Sequence, residues 1–75
     1  MYHIEIYNRT SMQVVKSLTA TSETEASKIA RSFIALIKER CNVIKESNYA
    51  MSPRGYVCGQ TLYTTDGIID ISTGK

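Results

Sequence analysis

The chain's most constraining feature is a run of apolar residues at helical spacing. Ala26, Ile29, Ala30, Phe33, Ile34, Ile37 and Cys41 recur at three- and four-residue steps. They form one continuous stripe about four turns long, which only a helix lying against another layer can bury. Ser22 and Glu25 stand at the spacing of a capping box just before the stripe, where each side chain can satisfy a free backbone amide. Glu23 and Glu25 sit at the positive end of the helix dipole, and Lys38 and Arg40 at its negative end. Asn42 is placed to stop the helix in a left-handed conformation.

The rest of the chain has the period of strands. Tyr2, Ile4 and Ile6 alternate with His3, Glu5 and Tyr7, which predicts a half-buried strand. A polar stretch, Asn8 to Ser11, precedes Met12, Val14 and Leu18 at two-residue spacing, so a hairpin partner follows. After the helix, residues 43–51 predict a weaker strand, edge or bulged, because Lys45 to Asn48 interrupt its apolar residues. Ser52-Pro53-Arg54-Gly55 reads as a turn. The β-prone runs Tyr56–Tyr63 and Ile68–Thr73 flank Asp66-Gly67, a hairpin signal that would pair Leu62 with Ile71. On that register Tyr56, Cys58, Leu62, Ile69 and Ile71 face the core, and Val57, Thr61, Tyr63, Ile68 and Asp70 face away. The expectation is an α+β fold, β-β-α-β-β-β, with a single helix packed on an antiparallel sheet.

Length bounds the rest. At 75 residues and 8.4 kDa residues 1–75 make a single domain, which buries about 60% of its unfolded surface and has no room for a deep substrate cavity beside its core. The 43% apolar and 21% charged composition is that of a folded protein, and a net charge of +2 is too small to argue for nucleic acid by itself. Met1 leads directly into the first strand, with no leader and no apolar run long enough for a bilayer. The expected location is therefore the cytoplasm, with no membrane partner. Cys41 and Cys58 fall on apolar stripes and are expected to stay reduced.

Catalytic and metal chemistry find little material here. There is one histidine, His3, and the cysteines lie outside metal-ligand spacing. The glycines form no phosphate-binding pattern, so no cofactor is expected. Asp70 on the far face has no obvious partner. A single helix covers only one face of a sheet, which leaves the other for solvent, a partner or a second copy. That face would carry Tyr7, Tyr63 and Ile68 with polar neighbours, the composition of an interface core. Arg9 and Arg54, at turns, could offer bidentate contacts to carboxylates or phosphates. Lys28 and Arg31 mark a basic helix surface. These residues, Tyr7, Arg9, Lys28, Arg31, Arg54, Tyr63 and Ile68, are the candidate binding residues of a protein that is not an enzyme.

The run Ser22-Glu23-Thr24-Glu25-Ala26-Ser27-Lys28-Ile29-Ala30-Arg31, entering a helix after an N-terminal hairpin, resembles the helix start of some phage-encoded anti-CRISPR proteins that inhibit type I surveillance complexes. The resemblance covers that run as sequence and the remainder as architecture. It implies a stoichiometric inhibitor in the host-cell cytoplasm that occupies a Cas subunit and blocks target DNA or nuclease recruitment. Lys28, Arg31 and the turn arginines would be its contact residues. Two other readings are a small nucleic-acid-binding domain using Tyr7, Tyr63, Arg9 and Arg54, and a homodimer that buries the open face against itself.

Overall fold

The alternation of the first residues does produce a strand, and the strand lies in the interior of the sheet. In a computed structural model, which describes residues 1–48 and 58–75, the elements are β1 (Tyr2–Asn8), β2 (Gln13–Ala20), α1 (Glu23–Arg40), β3 (Val43–Ser47), β4 (Cys58–Thr64) and β5 (Gly67–Gly74). This is the expected α+β architecture. The strands form one antiparallel sheet in the order β2-β1-β5-β4-β3. The C-terminal strand β5 therefore lies between β1 and β4 and joins the β1–β2 hairpin to the rest of the sheet. β3 is an edge strand with a register shift between Val43 and Lys45, as its interrupted pattern suggests. The turn around Pro53 and Arg54 and the residues Tyr56 and Val57 lie outside the described residues.

The helix forms where the stripe begins. Ser22 is the N-cap, at φ −141° and ψ 160°, and its hydroxyl accepts from the Glu25 N–H at 3.2 Å. Glu25 uses its carboxylate differently from a reciprocal capping box, accepting from the Thr21 hydroxyl at 2.9 Å. The C-terminus differs from expectation. Cys41, at φ −118° and ψ 151°, ends the helix in extended geometry, its N–H donating to Ile37 O at 2.7 Å, and Asn42 takes no left-handed turn. The cause is the short connection: the chain enters β3 at Val43, so it must already be extended on leaving α1.

One face of the sheet meets the helix. Ile4 packs with Ala20 and Ala26, flanked by Tyr2, Leu18 and Ile29. Ile6, Leu62 and Ile71 form a second cluster under Phe33, Ile34 and Ile37, with Ile69 beside them. Each fully buried aliphatic side chain there contributes about 1.5–3 kcal/mol of apolar transfer energy. The stripe that predicted the helix is the surface that closes this core.

The β4–β5 hairpin has a two-residue turn, as expected, but one residue earlier than Asp66-Gly67. Thr64 pairs with Gly67 and Leu62 with Ile69, so Thr65 and Asp66 make the turn, and Gly67 opens β5 at φ 130°. Two hydrogen bonds select this register: the Thr64 hydroxyl donates to Gly67 O at 2.8 Å and accepts from the Asp66 N–H at 3.1 Å. Leu62 therefore does not oppose Ile71. The slip is two residues, an even number, so Leu62, Ile69 and Ile71 keep the core face. At Gly59 a Cβ would lie 1.9 Å from Ile71 O, so the β4–β5 contact requires glycine there.

Candidate binding surface

On the face away from the helix, the register sets polar residues side by side. Glu5 opposes Ser72, Tyr7 opposes Asp70, Asp70 opposes Thr61, and Tyr63 opposes Ile68. The middle of this face is not open, contrary to expectation: Glu5, Thr61, Asp70 and Ser72 are all at most 1% exposed. The strands are closed on both sides at their centre, as the consecutive buried runs Ile4-Glu5-Ile6 and Asp70-Ile71-Ser72 show.

Arg9 accounts for part of that closure and is the main correction to the sequence reading. It lies just past β1, where its N–H donates to Ile68 O at 2.7 Å. Its side chain folds back over the sheet, Nε donating to Asp70 Oδ2 at 3.0 Å and Nη2 to Asp70 Oδ1 at 2.7 Å. Nη2 also reaches Thr61 Oγ1 at 3.3 Å, and the Thr61 hydroxyl donates to Asp70 Oδ1 at 2.6 Å. Asp70 thus has a bidentate partner, and the Arg9 Nε and Nη2 are engaged within their own chain. The hydrogen bond to Asp70 raises the Arg9 pKa; partial burial opposes it, and the charge of Asp70 adds to the rise. A wholly buried carboxylate is tolerable only because of this pairing.

Around the ion pair stand Tyr7, Tyr63 and Ile68, each half-buried. Lys45 Nζ lies 5.5 Å from the centre of the Tyr63 ring. The structure therefore brings Tyr7, Arg9, Tyr63 and Ile68 together on one face. Lys28 and Arg31 are exposed on α1, on the opposite side of the sheet, with Arg31 bordering a groove shared with Ala30, Gln60 and Thr73. The candidate residues thus divide between two surfaces. Arg54 falls outside the described residues.

Among the described residues no three His, Cys, Asp or Glu side chains converge on a metal position. The Cys41 thiol is held above its ordinary pKa, first by burial and then by the hydrogen bond and charge of Asp66, against a smaller opposing effect of Arg40. A thiol kept protonated in this way is a poor nucleophile. No helix among the described residues is long and apolar enough to cross a membrane. Sequence reasoning missed the Arg9–Asp70 pair because the residues are 61 positions apart. The signal available was an acid without an obvious partner on the far face and an arginine in the turn that follows β1. Comparison of the chain with models of known families, with characterised proteins and with solved structures finds no match.

Proposed function

We propose that this protein acts by binding rather than catalysis, as an inhibitor of the phage-encoded type that occupies a surface of a CRISPR–Cas surveillance complex or a similar host protein. The observation that carries the reading is the far face of the sheet, where Tyr7, Tyr63 and Ile68 surround the Arg9–Asp70–Thr61 network. Tyrosine at an interface buries ring area while its hydroxyl keeps a hydrogen bond. Side chains held by a fixed network lose less freedom on docking, which favours affinity. Association of the tagged protein with purified type I surveillance complex at low salt is the test, and Tyr7→Ala and Tyr63→Ala should each weaken it. No association at low salt would remove the reading. A nucleic-acid role is weaker, because the arginine best placed beside the tyrosines is already neutralised by Asp70.

A further inference from the structure

β2 and β3 are the two edge strands of the sheet, and β2 is the one beside an apolar groove. It ends the sheet, and its outer backbone groups meet no strand among the described residues. Such a row of donors and acceptors is a template for another extended chain. The pairing with β1 jumps from Ile6–Lys16 to Tyr7–Val14, so Val15 is the extra residue of a bulge. Val15 is 62% exposed and lines, with Ile6, Phe33, Leu36 and Ile37, an open groove of about 220 Å³ between β2 and α1. The strand edge and the groove are thus contiguous: a chain paired with β2 would carry alternate side chains past an apolar slot.

The charges around that slot indicate what would fill it. Lys16, the only ionisable residue of β2, holds its Nζ 5.6 Å above the Phe33 ring in the groove wall. At the other end of the groove the Cys41 thiol faces Asp66 as well as Arg40, so the unbalanced positive charge is the one at Lys16. A second copy of β2 would bring another Lys16 to this edge, and like charges across strands repel. The opposite edge is chemically different, since Glu46 of β3 is already engaged by Lys38 at 2.8 Å and Gln60 at 2.6 Å.

We propose that β2 is a docking edge for an extended segment of another protein, apolar where it passes the Val15–Leu36 groove and acidic beside Lys16. This surface is separate from the far face used by the inhibitor reading, so either can fail alone. The test pans a library of random ten-residue peptides against the full chain and titrates the enriched peptides into the isotopically labelled protein. Enriched peptides should alternate apolar residues with Asp or Glu, and resonance shifts should concentrate at Gln13–Ala20 and 33–41. Val15→Lys, at an exposed position that leaves the circular dichroism spectrum native, should weaken binding at least tenfold, and Lys16→Glu should turn the selection toward basic peptides. The proposal is overturned by a failure to enrich any peptide, by shifts centred elsewhere, by binding indifferent to Val15→Lys, or by a chain that sediments as a dimer through β2.

Discussion

The two faces of the sheet are made by the same strands yet closed by different physics. Towards the helix, Ile4, Ile6, Leu62 and Ile71 are buried by apolar contact, which is non-directional and accepts many shapes of similar volume. Away from it, Thr61 and Asp70 are buried under Arg9 by hydrogen bonds of defined length and angle. The first face tolerates a change of chemistry poorly and a modest change of shape well. The second depends on particular atoms: removing one partner strands a buried charge, whereas removing both leaves no debt.

The largest effect should come from the helix-covered face. Leu62→Ala should cost about 2–5 kcal/mol in urea unfolding, because the side chain is fully buried and leaves a cavity. Next comes the ion pair. Arg9→Ala should cost about 2–3 kcal/mol, less than a wholly buried pair, because the Arg9 side chain is 41% exposed. Pairing Arg9→Met with Asp70→Leu should recover most of that loss in a double-mutant cycle. Additive losses would mean that the two faces are closed by the same kind of force. A smaller change is expected at the helix entry, where Ser22→Ala removes the acceptor for the Glu25 N–H and should cost about 1 kcal/mol. The smallest concerns Cys41. Its raised pKa means that the fold favours the protonated thiol, so this contribution to stability is complete below the unfolded-state pKa and is lost as pH rises through the folded value. Alkylation by iodoacetamide at pH 8 should accordingly be slower in the folded protein than in urea, and equal rates would contradict the placement of the thiol.

Much of the architecture was legible because its signals are local. The stripe from Ala26 to Cys41 and the Ser22–Glu25 spacing located α1, and the alternation at Tyr2–Tyr7 located β1. The β4–β5 hairpin was legible in kind but not in register, since Asp-Gly marks a turn without saying which residues it contains. The Thr64 hydroxyl decided that. The site was less legible. Alternation puts Tyr7, Tyr63 and Ile68 on one face, as the register has them, but leaves Asp70 without the Arg9 partner it has in the fold. That error has one source, the placement of β5 beside β1, which no short-range pattern encodes.

Periodicity alone determined which residues of each element point the same way, because side-chain direction follows from backbone geometry within a few residues. Strand order, and with it the meeting of Arg9 and Asp70, was decided only in three dimensions. It depends on distant segments competing for the same hydrogen-bonding edges, and on the cost of leaving a carboxylate buried without a cation.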